Sequence, residues 1–112
     1  MNLEGDGYTI TYKDNIITIF GKLSLMLEDY EELEDFFEEV IRTEPSEITL
    51  DIRNLEYLNS SGIKTICVSL ILEADDIEDI QMKILCSNQY TWQKETIPTF
   101  EDLMDDMEIV FE

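Results

Sequence analysis

Two adjacent hydroxyls, Ser60 and Ser61, stand between Asn59 and Gly62 and just ahead of Lys64. Asn, Ser and Gly open helices, because they cap or tolerate a first turn whose amides lack partners. Such a start also carries the positive end of the helix dipole, where an anionic group is welcome. A hydroxyl there is a place where a phosphate could be held. The same stretch spells Ser61-Gly62-Ile63-Lys64, the S-x-x-K order of serine penicillin-recognising enzymes. Their companion S-D-N and K-T-G motifs are missing, and the chain is too small to enclose that site. Lys64 therefore reads as a solvated residue, not a catalytic one.

Other chemistry is sparse. The chain has no histidine, so the commonest general base and the usual metal ligand are absent and a Ser-His-Asp triad is impossible. Asp75, Asp76, Glu78 and Asp79 lack the order of an EF-hand loop and read as a charged turn. Nothing resembles a phosphate-cradling glycine loop. No catalytic residue, metal site or cofactor is expected. Trp92, beside Tyr90 in a stretch read as loop from Ser87 to Lys94, covers the edge of the core in one reading and anchors a partner in the other. Cys67 and Cys86 sit in apolar patterns and read as small buried hydrophobes.

The elements that must position Ser60 follow from periodicity. Ile48 to Ile52 is a short apolar run bounded by Pro45-Ser46 and Arg53-Asn54, as in a buried strand. After the loop that ends at Leu58, the apolar residues Ile63, Ile66, Cys67, Leu70 and Ile71 have helical spacing, which predicts a helix over Ser60–Glu73. Upstream, Gly7 to Tyr12 and Ile16 to Phe20 predict a hairpin turning at Asp14-Asn15, with Gly21 breaking the pattern. Glu28 to Arg42 reads as a helix with Tyr30, Leu33, Phe37, Val40 and Ile41 on one stripe. Downstream, Ile80 to Cys86 is a strand, Thr99–Met107 a short helix, and Ile109 to Phe111 a further short strand. One α/β domain over residues 1–112 results, a mixed sheet of four or five strands with helices packed on it.

Charge separates this chain from most of its size. It has 27 acids against 7 bases, a net charge of −20. Eight of the acids (Glu28, Asp29, Glu31, Glu32, Glu34, Asp35, Glu38 and Glu39) cover the predicted helix that ends at Arg42. Nucleic acid and anionic membranes are poor partners for such a field. The plain reading is a solvated face; the sharper ones are steering toward a basic partner and mimicry of an acidic one. No apolar run reaches the ~18 residues of a membrane span. The first residues are acidic and polar, unlike a signal peptide, and a cytoplasmic location is expected.

Strand, loop, Asn59-Ser60-Ser61-Gly62-Ile63 and apolar helix together resemble the centre of a STAS domain, the family of bacterial anti-sigma factor antagonists and sulfate-transporter tails. The family's tetrapeptide is usually D-S-S-G or D-S-T-G, so Asn59 stands where an Asp is usual, and Asp51-Ile52-Arg53 resembles the family's strand ending. The resemblance implies a STAS-like fold and a non-enzymatic signalling module that binds a protein partner. That partner would be a serine kinase of anti-sigma-factor character, which phosphorylates Ser60, with a cognate phosphatase reversing the mark. The docking surface it implies comprises Ser24, Leu25 and Met26 of the semi-apolar connector Lys22–Leu27, which follows the hairpin, together with Asn59, Ser61, Gly62 and Lys64. The alternatives are a constitutive STAS-fold scaffold without the switch, and the acidic mimic.

Overall fold

Glu47 to Leu58 forms one twelve-residue strand, β4, in the middle of a six-stranded sheet. The structure, a computed structural model, describes residues 1–77, 80–105 and 107–112. The strands are β1 (Asn2–Gly5), β2 (Tyr8–Lys13), β3 (Ile16–Leu23), β4, β5 (Gln81–Cys86) and β6 (Glu108–Phe111), lying side by side in chain order. β1, β2 and β3 form an antiparallel meander, whereas β3 to β6 are parallel neighbours. Each parallel step needs a crossover, and crossovers of one hand between sequential strands place every helix on the same face.

Burial agrees with that geometry. Ile10, Ile17, Ile19, Ile48, Leu50, Met82, Ile84 and Cys86 are buried on the helix side. Their alternates Thr9, Thr18, Phe20, Thr49, Lys83 and Leu85 line an open face and remain exposed or half-buried.

The strand count exceeds the expected four or five. β1 is the addition: with Leu3 its one apolar residue it shows no alternation, yet pairing of Asn2 to Gly5 with β2 satisfies its backbone. β3 also runs on through Gly21, which was expected to break it. Gly21 has φ of +104°, and a Cβ there would strike the Gly7 carbonyl, so glycine lets the strand continue.

The largest correction concerns β4. Its second half was expected to be loop, but it pairs with β3 as far as Leu58. Register shifts between Thr18 and Phe20, and again between Gly21 and Lys22, put extra residues into β4. Buried positions therefore change from every second residue (Ile48, Leu50, Ile52) to every third (Ile52, Leu55, Leu58). The alternation that marks a strand is lost in the sequence while the strand itself persists.

A 3-10 turn (Leu27–Tyr30) leads into helix α1 (Glu31–Arg42). The expected helix over Glu28–Arg42 thus begins with a tighter first turn. Leu33, Phe36, Phe37, Val40 and Ile41 are all buried from α1, and Phe36 meets Phe37 edge to face at 6.3 Å. At roughly 1.5–3 kcal/mol for each large apolar side chain, this stripe outweighs the few tenths per pair of like-charge repulsion along the acidic side.

The helix after β4 runs further than Glu73. Helix α2 (Ser60–Thr65) continues through a π-wound segment (Ile66–Leu72) into α3 (Glu73–Asp76) without a break in chain direction. Of the residues read as a charged turn, Asp75 and Asp76 end α3, while Glu78 and Asp79 lie outside the described residues.

Ser87 to Lys94 is not all loop, since α4 (Thr91–Thr96) occupies its second half and a 3-10 segment (Ile97–Leu103) follows. The expected Thr99–Met107 helix therefore starts earlier and winds more tightly; Asp106 lies outside the described residues. Among the described residues no helix is long and apolar enough to cross a membrane.

Candidate protein-docking site

Asn59 caps α2 from an extended conformation, its Oδ1 accepting from the Gly62 amide at 3.0 Å while its carbonyl accepts from the Ile63 amide at 3.0 Å. The same Oδ1 accepts the Tyr30 hydroxyl, and the Leu25 amide donates to that hydroxyl's oxygen at 3.2 Å. Nδ2 of Asn59 donates to the Leu25 carbonyl at 2.8 Å. Leu25, Tyr30 and Asn59 therefore close a ring of hydrogen bonds that straps the connector to the helix start. Burial keeps the Tyr30 phenol protonated: desolvation raises its pKa, partly opposed by the Leu25 hydrogen bond, and Tyr8 and Tyr57 add to the rise.

This ring accounts for an asparagine at a position where the resemblance drawn from the sequence implies an aspartate. The position must accept two hydrogen bonds and donate one. A carboxylate accepts both but has no proton for the Leu25 carbonyl.

Gly62 is buried in this arrangement. A Cβ there would meet the Leu58 side chain and would lie 2.7 Å from the Tyr30 hydroxyl oxygen. Its place is to let Tyr30 approach the cap, and it presents little surface of its own.

The remaining expected site residues gather around the ring. Ser60 and Lys64 are exposed; Ser61 is half-buried, and its carbonyl accepts from the Thr65 hydroxyl at 2.9 Å. Ser24 and Met26 are exposed, with Leu25 half-buried between them. The clasp thus brings the connector and the Ser60 turn together from positions more than thirty residues apart in the chain. Leu27 and Tyr57 add to the same end of the sheet, being 55% and 48% exposed, and Met26 is 67% exposed. Tyr30 was legible only as a core residue, because nothing in a helical stripe shows where a hydroxyl at its end will point. Tyr57 was assigned to a loop and its exposure had no signal.

Trp92 belongs to the core edge. It is half-buried, and its indole N–H donates to the Leu55 carbonyl at 3.2 Å. Gln93, beside it, is fully buried. Its Nε2 donates to the carbonyls of Ile52 at 2.7 Å and Leu55 at 3.0 Å, and its Oε1 accepts from the Ser87 amide at 2.8 Å. β4 pairs with β5 only as far as Asp51, so this glutamine stands in for the missing ladder.

On the open face, Arg53 bonds Asp51 at 2.9 Å and Glu112 at 2.7 Å, tying the end of β6 to β4. Burial alone would raise the Asp51 carboxyl, but the hydrogen bonds and charge of Arg53 hold it below the usual carboxylate range.

Both cysteines are free thiols. Burial, with Asp51 adding to it, pushes the Cys86 thiol up to about 12, and burial raises that of the half-buried Cys67. Thiolate is the reactive form. Native protein should therefore react slowly with a thiol-disulfide reagent at neutral pH, Cys67 before Cys86, and both should react at once in denaturant. Immediate reaction of both in the native state would contradict this packing.

No family model matches the chain, and no curated protein matches it in sequence. Solved structures do match. A chain in the crystal structure of the diguanylate cyclase SiaD in complex with its activator SiaC, from Pseudomonas aeruginosa, superposes with a TM-score of 0.71 at 17% identity, covering 100% of this chain and 99% of that one. SiaC of Pseudomonas aeruginosa gives 0.70 at 16% identity, covering 100% and 96%. An anti-sigma factor antagonist from Mycobacterium paratuberculosis gives 0.58 at 13% identity, covering 90% and 83%. With a hairpin leading into a mixed sheet, a capped helix after the central strand and helices on one face, the chain has a STAS-like α/β fold.

Proposed function

We propose that this protein is a non-enzymatic regulatory module that docks onto a protein partner through the Ser60 turn and the Ser24–Met26 connector, and that phosphorylation of Ser60 releases the partner. The observation that carries the reading is the clasp. It holds an exposed hydroxyl at a helix start near exposed Met26 and Leu27, so a phosphate added there would fall within the proposed docking surface. The likeness in fold to SiaC, an activator found in complex with a diguanylate cyclase, and to an anti-sigma factor antagonist supports a protein partner.

A phosphate on Ser60 adds about −1.5 to −2 charges. The amides of the first turn favour that charge, so the fold tolerates it. A partner packed on Met26 and Leu27 would have to desolvate it. The switch is local electrostatics at an interface, with little refolding. A serine kinase would set the mark and a phosphatase remove it.

Ser60→Asp is the direct test. It should change the melting temperature by less than about 3 °C, since the clasp does not use the Ser60 side chain. It should weaken binding of the partner co-purified from the native cell by about tenfold or more, some 1.4 kcal/mol. Ser60→Ala should bind normally and carry no phosphate. Equal affinity of wild type and Ser60→Asp, with no phosphate on Ser60 in cells, would leave a constitutive scaffold instead.

A further inference from the structure

A second surface lies further along the same helix. Val68 and Leu72 project from the π-wound segment at 46% and 39% exposure, four residues apart, while Ile66, Leu70 and Ile71 fill the core. Runs of π winding are rare and concentrate at functional sites. Beside this apolar ridge a groove of about 420 Å³ separates the π segment from α1. Ser69 and Glu73 form one wall, Glu34, Asp35 and Glu38 the other, and Ile41 is at its floor.

Arg42, also at the groove, is taken up by Glu38 at 2.7 Å. Among the described residues Glu34, Asp35 and Glu73 have no cationic partner within ion-pair distance. The whole molecule is acidic, so charge alone would attract a cation to any face. What marks this face is an exposed valine and leucine on the helix that also carries one acidic wall of the groove.

We propose that this groove docks a basic amphipathic helix of a partner protein, separately from the Ser60 surface. A helix laid between two helices fits ridges into grooves. Its apolar side covers Val68 and Leu72, and lysines or arginines on its flanks meet Glu34, Asp35 and Glu73. An acidic or neutral helix could cover the ridge only by leaving those carboxylates desolvated without partners, which is the costly arrangement.

The probe is a fluorescein-labelled peptide of roughly 18 residues, with leucines at i, i+3, i+4 and i+7 and lysines elsewhere. A scrambled peptide of the same composition has no apolar face. Anisotropy is measured against the full chain at about 0.15 M NaCl, where long-range attraction is screened. The amphipathic peptide should bind at least about tenfold more tightly than the scrambled one. Val68→Asp with Leu72→Asp, and separately Glu34→Lys with Glu73→Lys, should each weaken it by about tenfold or more. The exposed pair Glu101→Lys with Asp102→Lys makes the same change in net charge elsewhere and should alter binding less than about twofold.

Circular dichroism confirms that each variant is folded. Should the double aspartate variant not fold, Val68→Ser takes its place, with an expected loss of about threefold or more. Equal binding of the two peptides, or groove variants that behave like the Glu101 and Asp102 pair, would overturn the proposal.

Discussion

Replacing Gln93 with leucine should lower the melting temperature by on the order of 10–20 °C. The substitution conserves volume approximately, so the effect isolates hydrogen bonding. It removes the side-chain donor to the Ile52 carbonyl and the acceptor for the Ser87 amide, while Leu55 keeps the Trp92 indole. An orphaned buried group costs about 1–3 kcal/mol; with Ser87 only half-buried, its amide falls at the low end and the two together give roughly 2–4 kcal/mol. That is a large part of the total stability of a domain this size.

Trp92→Phe supplies the contrast. It removes one of two donors to Leu55 and should cost only about 1 kcal/mol. A Gln93→Leu melting temperature within about 2 °C of wild type would mean that water satisfies those groups and that the glutamine is not the substitute for the ladder.

Asn59→Ala should destabilise the domain by roughly 2–4 kcal/mol, and Asn59→Asp by less, about 1–2 kcal/mol. Alanine removes the cap on the Gly62 amide, the acceptor of the Tyr30 hydroxyl and the donor to the Leu25 carbonyl together. Aspartate keeps the first two, because a carboxylate is as good a cap as an amide. It sets an oxygen against the Leu25 carbonyl in place of an N–H, so the connector should loosen while the helix start survives. Amide hydrogen exchange at Leu25 and Met26 should quicken in Asn59→Asp, with Gly62 and Ile63 little changed. Uniform exchange across the connector and the helix start in both variants would show that the clasp and the cap are not separable.

The two variants also bear on the proposed docking surface. Met26 and Leu27 owe their position beside Ser60 to that clasp. A loosened connector should weaken partner binding even with the cap intact. The first consequence of Asn59→Asp is thus the loss of a donor, ahead of the added charge beside Ser60.

The helix after the central strand, its capped start at Asn59, the apolar stripe of α1 and the mixed α/β class were legible in the sequence. Each rests on contacts within a few residues, where spacing and side-chain type act directly. The helix ran past its expected end to Asp76, because the apolar stripe gives no sign of where π winding begins.

What the sequence did not determine depends on groups far apart in the chain. The second half of β4 was hidden because the register shifts against β3 destroy the alternation of burial without ending the pairing. β1 carries a single apolar residue, Leu3, too little to show an alternation, and its backbone is held by the hydrogen bonds that the edge of β2 offers. Gln93 looked like a polar loop residue, and only the carbonyls left over where β4 outruns β5 make it a core residue. Asn59 was recognisable as a cap from its neighbours, but not as the anchor of a connector thirty-four residues earlier. A side chain's local hydrogen bonds can be read from its neighbours along the chain; its remaining donors and acceptors are assigned only when tertiary packing decides which distant backbone groups are left without partners.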